Sequence, residues 1–246
     1  MAPVDDETAG VALPAGILFD MDDTVVDTFR ASRVAWEEAA AVVAREHTLD
    51  RQQVLQAFLA ADRWYWQEPE REDWGRLNQA GARVRIARRA LQQLARRDDG
   101  ISRWVGPFVV QARVRALQPF PGALETLAEL RRRGVALALV TNGEAPSQRA
   151  KIEQVRLAQR FDLVVVEGEF GTGKPEPQVF EHALAGIGAR PEDAWMVGDD
   201  LAKDIAGGNA AGLHTVWVDS RAEGLPPNPA ARPDRIVQAI AELLPG

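Results

Sequence analysis

The chain has 246 residues, 46% apolar and 26% charged, with 29 Lys+Arg against 36 Asp+Glu and a net charge of −7. This is a globular composition, long enough for one large domain or a core with a smaller companion, and it excludes a disordered or fibrous chain. With no Cys, no apolar run of about 18 residues and no basic or apolar leader, the sequence excludes disulfide and membrane-span chemistry, and a soluble cytoplasmic protein without membrane partners is expected.

The acidic balance argues against general nucleic-acid binding. Of the basic residues, 26 are Arg and only three are Lys, at positions 151, 174 and 203, so a Lys in a motif-like place stands out. Residues 1–14 read as a loose tail. Gly16–Asp20 is a short apolar strand running into an acidic cluster. From Thr28 to Leu117 the spacing of Val34, Ala35, Ala39, Val42 and Val43, then Val54, Leu55, Phe58 and Leu59, fits helices. Breaks near His47–Asp50, Pro69–Trp74, Asp98–Gly100 and Gly106–Pro107 predict about four helices and no strand. After Phe120-Pro121-Gly122 strands and helices alternate. Helix Ala123–Arg133 stops at Gly134, strand Val135–Val140 leads into Thr141-Asn142-Gly143, and helix Pro146–Val155 follows. Then come strand Leu163–Val166, helix Gln178–Leu184, strand Ala194–Val197, a helix near Lys203–Ala211 and strand Thr215–Val218. A Pro-rich loop, Leu225–Pro233, precedes a last predicted helix, Pro233–Leu244, with Ile236, Val237, Ile240, Ala241 and Leu244 on one face. Apolar strands separated by helices predict an α/β fold, a doubly wound parallel sheet covered on both faces. The expected division is a core of residues 15–27 and 119–246 with an inserted helical unit, residues 28–118.

In an open parallel sheet, ligands bind beyond the carboxyl ends of the strands. The polar clusters fall there: Asp20, Asp22, Asp23 and Thr24 after the first strand, Thr141 and Asn142 after the second, and Asp199 and Asp200 after a later one, with Asp204 a turn on. Lys174 lies in the Gly-rich segment Gly171-Thr172-Gly173-Lys174-Pro175. So many carboxylates at one edge need a divalent cation and a Lys to offset their repulsion, and an all-oxygen donor set suits Mg²⁺. Two carboxylates spaced as Asp20-x-Asp22 can divide the roles of nucleophile and general acid/base. A transferred phosphoryl group would need donors such as Thr141, Asn142 and Lys174 around its oxygens.

Four segments together resemble the motifs of the haloacid dehalogenase superfamily of hydrolases: Phe19-Asp20-Met21-Asp22-Asp23-Thr24, Val140-Thr141-Asn142-Gly143, Gly173-Lys174-Pro175-Glu176-Pro177, and Val197-Gly198-Asp199-Asp200 with Asp204-Ile205. Phe120-Pro121-Gly122 and Ala210-Ala211-Gly212 match flanking patterns, so the resemblance covers roughly residues 16–219. It implies that Asp20 is the nucleophile and Asp22 the general acid/base. Mg²⁺ would be held by Asp20, the Asp22 backbone carbonyl and Asp199. Thr141, Asn142 and Lys174 would bind the phosphoryl group, with Asp200 and Asp204 supporting. Asp23 departs from the Gly that many members carry, as a common variant.

The helical insertion resembles the family's cap, which closes over the core and selects the substrate. Between Thr28 and Gln118 there are 16 Arg against 11 Asp+Glu, net +5, whereas the remainder has 13 basic and 25 acidic residues, net −12. A basic lid over an acidic core suits a small anionic phosphorylated substrate. Candidate specificity residues are Trp64, Trp66 and Trp74, and Arg83 in the run Arg83, Arg85, Arg88 and Arg89. The plain alternatives are aromatics packing a bundle and Arg residues on a solvated face.

The resemblance implies a Mg²⁺-dependent phosphatase that forms an aspartyl-phosphate. The same residues could serve a phosphomutase. A haloacid dehalogenase would have no leaving oxygen to protonate and so no use for Asp22. A non-catalytic binding protein on this scaffold would normally have lost the nucleophile or the metal acids. The segment Thr141–Gln148 resembles that of relatives acting on nucleotides, sugar phosphates or acyl-sugar-acid phosphates. The physiological substrate and the oligomeric state stay open.

Overall fold

The structure is a computed structural model that describes residues 13–244. The expected N-terminal tail lies almost wholly outside the described residues.

The first strand, β1 (Gly16–Phe19), is fully buried, and Ile17 and Phe19 belong to one apolar cluster while Leu18 belongs to another. Alternate residues of a strand point to opposite faces, so a continuous apolar run is what a sheet covered on both sides requires. Five helices follow: α1 (Thr28–His47), α2 (Arg51–Trp66), α3 (Pro69–Arg76), α4 (Gln79–Gln93) and α5 (Asp99–Ala116). The chain then alternates through α6 (Ala123–Arg132), β2 (Ala136–Thr141), α7 (Ala145–Gln154), β3 (Leu163–Val166), α8 (Glu167–Phe170), α9 (Pro177–Ile187) and β4 (Ala194–Gly198). A single π-type turn, Leu201–Ile205, continues into α10 (Ala206–Ala210), and β5 (His214–Val218) and β6 (Arg235–Val237) complete the sheet. All strands are parallel, in the order β3-β2-β1-β4-β5-β6. Strand order reverses between β1 and β4, which makes the crevice above their carboxyl ends the natural ligand site.

The sheet is packed on one face by a cluster containing Ile17, Phe19, Leu127, Leu130 and Leu139, and on the other by Leu18, Val140, Val179, Phe180 and Met196. The helices α1–α5 have an apolar centre of their own, built on Trp36, Phe58, Tyr65, Ile86 and Val109. No helix among the described residues is long and apolar enough to cross a membrane.

Three sequence expectations need correction. Pro69 does not break a helix but starts α3, where its missing N–H costs nothing, so there are five helices rather than four. Gly106-Pro107 lies inside α5 and ends nothing. A Cβ on Gly106 would meet the Ala80 carbonyl oxygen at 2.6 Å and Val84 at 2.5 Å, so the glycine is there to let α4 approach. The expected last helix is instead β6 followed by one 3₁₀ turn, Ile240–Leu243. Parallel pairing with β5 satisfies backbone groups that a free sheet edge would leave open; Asp219 N–H donates to the Val237 carbonyl at 2.8 Å and Asp234 N–H to the Thr215 carbonyl at 3.0 Å. A short apolar run does not by its periodicity tell strand from helix.

Candidate active site

Asp20 is the first residue beyond β1, and its N–H donates to the Val197 carbonyl of β4 at 2.9 Å. Its carboxylate is buried, and Oδ1 accepts from Lys174 Nζ at 2.6 Å. The same ammonium lies 2.7 Å from Asp204 Oδ1, while Asp204 Oδ2 accepts the Asp200 N–H at 3.0 Å. A Cβ on Gly198 would overlap the Asp204 carboxylate, so this glycine gives Asp204 its place. Asn142 brackets Lys174 from the other side: Oδ1 accepts the Lys174 N–H at 2.8 Å and Nδ2 donates to the Lys174 carbonyl at 2.7 Å. These two bonds fix the lysine backbone and use one of the two Nδ2 hydrogens.

Asp20, Asp199 and Asp204 each offer an oxygen within 4.8 Å of the other two. Burial pushes the Asp20 carboxyl up to about 7; Lys174 opposes this, and Asp204 and Asp22 add to it. Asp199 is raised well above the usual carboxylate range, by burial first and then by Asp20 and Asp204. Lys174 is buried too, yet the two carboxylates on it hold its pKa above the ordinary lysine value. The two trends fit together, because one ammonium is shared by several carboxylates and cannot neutralise them all. The Asp199 carboxylate accepts no hydrogen bond among the described residues; only its backbone is held, the carbonyl accepting from Trp217 Nε1 at 2.7 Å. Buried oxygens in excess of the local positive charge, with no His or Cys among them, fit a hard divalent cation.

The Asp22 carboxylate is not one of these three clustered groups. Its Oδ2 accepts from Lys151 Nζ at 2.5 Å and more weakly from Gln148 Nε2 at 3.4 Å. Burial alone would raise its pKa, but the Lys151 ammonium reverses the effect and holds it below the usual value. Gln148 Nε2 also donates to Thr141 Oγ1, so the Thr141 hydroxyl keeps its own hydrogen free to donate. Asp23 has φ +58°, a left-handed conformation that Asp tolerates, and its Oδ1 accepts the N–H groups of Thr28 and Phe29, each at 3.0 Å. The Asp at this position thus anchors the start of α1 to the loop carrying the acids.

Asp20, Asp22, Thr141, Asn142, Lys174, Asp199, Asp200 and Asp204 all line one cavity of about 560 Å³, whose opposite wall comes from α1–α5. Trp66 and Arg83 reach this cavity; Trp64 and Trp74 do not. Trp64 is sandwiched by Arg71 and Arg89, with guanidinium carbons 4.0 and 3.8 Å from the ring, and Arg85 covers Trp74 at 3.7 Å. Asp200 caps the π-type turn, accepting from Ala202 N–H at 2.9 Å and Lys203 N–H at 3.0 Å, and its Oδ2 pairs with Lys203 Nζ at 3.0 Å. Lys203 also reaches Glu72 on α3, and Arg76 on the same helix pairs with Glu167. With the Glu144 N–H donating to the Arg76 carbonyl at 3.1 Å, these contacts seat α3 on the sheet edge.

Sequence reasoning did not assign Lys151, Gln148, Arg113, Arg76 or Lys203 to the site. One signal was available: all three lysines of an Arg-rich chain line this cavity.

The model of the haloacid dehalogenase-like hydrolases matches residues 14–212, which is most of the chain. The chain belongs to the haloacid dehalogenase-like hydrolases. Within this family it is similar to a phosphoserine phosphatase of Thermus thermophilus, 35% identical over 245 residues, covering 92% of this chain and 96% of that one. It is also similar to a ribulose-1,5-bisphosphate 5-phosphatase of Halopiger xanaduensis, 32% identical over 216 residues, covering 86% and 87%. The crystal structure of the putative HAD-hydrolase YfnB from Bacillus subtilis, bound to magnesium, shares the fold with a TM-score of 0.73 at 21% identity, covering 94% of this chain and 97% of that one. The protein is accordingly a hydrolase on the phosphatase side of the haloacid dehalogenase-like family.

Proposed function

We propose that the protein is a Mg²⁺-dependent phosphatase of small phosphorylated metabolites that works through an aspartyl-phosphate on Asp20. The observation that carries this reading is the pairing of Asp20 Oδ1 with Lys174 Nζ at 2.6 Å inside a cluster of buried carboxylates. The lysine orients one oxygen and leaves the other to attack. The Asp20 and Asp199 carboxylates and the Asp22 backbone carbonyl would hold the Mg²⁺, since the Asp204 carboxylate is engaged by Lys174 and the Asp200 N–H. When bound, the ion neutralises charge on the phosphoryl oxygens and on the carboxylates around it.

In the first step an Asp20 oxygen forms a bond to phosphorus as the bond from phosphorus to the leaving oxygen breaks; Asp22, a carboxylate beside Lys151 until the substrate enters, passes to that oxygen the proton that the phosphate monoanion brings. In the second, Asp22 takes a proton from water, the water oxygen attacks phosphorus, and the bond to Asp20 breaks, returning the carboxylate; the proton on Asp22 then leaves with the product phosphate. Lys174 and the Thr141 hydroxyl donate to the phosphoryl oxygens throughout. Lys151 and Gln148 aim the Asp22 carboxylate, and Asn142 aims Lys174 through its backbone. Residues 28–118 act as the cap and residues 15–27 and 119–246 as the core. The similarity to named phosphatases at 35% and 32% identity supports hydrolysis over dehalogenation. The test is trapping: brief exposure to an aryl phosphate with Mg²⁺, then acid quench and mass spectrometry, should place a phosphoryl group on the peptide carrying Asp20. A phosphoryl group on any other side chain would overturn the assignment.

A further inference from the structure

The helical wall of the cavity holds two cations that make no ion pair among the described residues. Arg83, on α4, is 3% exposed and makes no ion pair or hydrogen bond among the described residues; its Nε and Nη1 are buried without a partner. Arg113, on α5, leaves its Nε buried and unpartnered too, and gives only one long bond, 3.3 Å from Nη1 to Gln79 Oε1. Both side chains line the cavity that contains Asp20 and Asp22.

No acid forms an ion pair with either of them, although the Asp62 charge acts on Arg83 and the Asp22 and Asp23 charges on Arg113. Asp62 is held by Trp66 Nε1 at 3.1 Å, and Glu72 reaches Lys203. The Trp66 ring lies 4.8 Å from the Arg83 guanidinium, which offers the charge a π face but gives its N–H groups no acceptor. Burial, and after it the Arg113 charge, pushes Arg83 down to about 9. Arg113 also acts on Asp22 and on Lys151, so the cations run from the acid/base outward: Lys151, Arg113, Arg83. Two adjacent unpaired guanidiniums are costly to keep in a cavity wall unless a ligand supplies their acceptors. The other arginines of this wall are either paired, Arg33 with Glu37 and Arg76 with Asp73 and Glu167, or exposed to solvent, as Arg63 is.

We propose that Arg83 and Arg113 form a subsite for a second anionic group, carried on the leaving alcohol of the substrate. The proposal rests on the phosphatase reading above, in which Asp22 stands at the leaving oxygen. The leaving group then extends past Asp22 toward Arg113 and Arg83, and two guanidinium forks match the paired oxygens of a carboxylate or of a second phosphate. The substrate class is a small phosphomonoester with a carboxylate or phosphate a few bonds from the scissile oxygen.

The experiment compares kcat/KM, with Mg²⁺, for 3-phosphoglycerate, 1,3-propanediol bisphosphate and glycerol 3-phosphate, which present a carboxylate, a second phosphate and no second charge. The wild type should favour at least one anionic ester over glycerol 3-phosphate by about 30-fold or more, the size expected when a buried charge finds its partner. Whichever ester leads names the anion. Arg83→Met and Arg113→Gln should each cut that ratio at least about 10-fold, and Arg83→Lys should fall between. Melting curves run in parallel, and if Arg83→Met does not fold, the Arg113→Gln ratio decides. A wild type without preference, or variants that lower all three esters equally, would overturn the subsite while leaving the phosphatase reading in place. No turnover of any ester or of p-nitrophenyl phosphate would overturn both.

Discussion

Replacing Asp20 by Asn should abolish turnover and yet stabilise the metal-free protein at neutral and alkaline pH. The Asp20 carboxyl moves from the ordinary 3.8 to about 7 because it is buried beside Asp204 and Asp22, and Lys174 only partly offsets this. A raised carboxyl pKa means that the folded state keeps a proton that the unfolded chain has lost. Stability therefore falls as pH rises through the window from 3.8 to about 7, and the penalty is complete above it. At about 1.4 kcal/mol per pH unit, the full penalty reaches ~4 kcal/mol. An Asn carries no charge at any pH and escapes it, while its oxygen can still accept from Lys174. In EDTA at pH 8 the variant should melt higher by roughly 10 °C, given about 2–4 °C per kcal/mol for a chain of this size. Near pH 4.5 the difference should shrink to within about 1 kcal/mol. Added Mg²⁺ should raise the wild-type melting temperature more than that of the variant, which lacks one carboxylate donor. Differential scanning calorimetry at both pH values, with and without metal, reads all of this. An Asn variant no more stable than wild type at pH 8 in EDTA would refute the argument that these carboxylates are crowded beyond what Lys174 offsets.

Asp22→Asn should keep Mg²⁺ affinity, read by calorimetric titration, and lower kcat by roughly 10²–10⁴-fold, the size of a general acid/base contribution; a collapse of metal affinity would contradict the backbone contact assigned to Asp22. Lys174→Ala should be more impaired than Lys174→Arg, and both severely, because Asp20 and Asp204 each lose their cation and the longer guanidinium does not reproduce contacts of 2.6 and 2.7 Å; steady-state kinetics with an aryl phosphate checks the order. EDTA should inactivate and Mg²⁺ restore, with Ca²⁺ restoring poorly, since its longer bonds and higher coordination number draw both Asp20 oxygens onto the ion; full activity after verified metal removal would contradict the metal requirement. Gly106→Ala should destabilise by about 1–3 kcal/mol, the cost of forcing volume into a closed contact, because the new methyl would meet the Ala80 carbonyl oxygen at 2.6 Å; urea unfolding with an unchanged m-value is the readout.

The sheet was legible where chemistry and periodicity agreed. Leu163–Val166 and Ala194–Val197 are apolar runs with polar residues at their carboxyl ends, and a parallel strand buried on both faces has no other way to look. The segment after Pro233 misled because its apolar residues suit either period, and what settles it is the open edge of β5, a partner that no local window contains. The acids proposed as catalytic could be found because each stands within a few residues of a strand end, so local sequence fixes its place. Lys151 and Gln148 could not be assigned that way, since each reaches Asp22 from α7 across more than 120 positions of chain. Their contact depends on how the helix is rotated against the sheet, which the weak amphipathicity of Ala145–Gln154 does not disclose.

The helical wall is harder still, and Arg83 shows why. In sequence it belongs to a run with Arg85, Arg88 and Arg89, and a solvated face is the expected place for such a run. In the structure only Arg83 among these four reaches the cavity, while Arg85 and Arg89 cover Trp74 and Trp64. What separates them is the rotation of α4, because residues two and six positions apart point in different directions around a helix. The packing of α4 on α5 constrains that rotation: Gly106 admits the α4 backbone at Ala80 and Val84, so the side of α4 carrying these two residues lies against α5. A residue without a side chain, read from sequence as a break, thereby contributes to setting which arginine of the run faces the cavity.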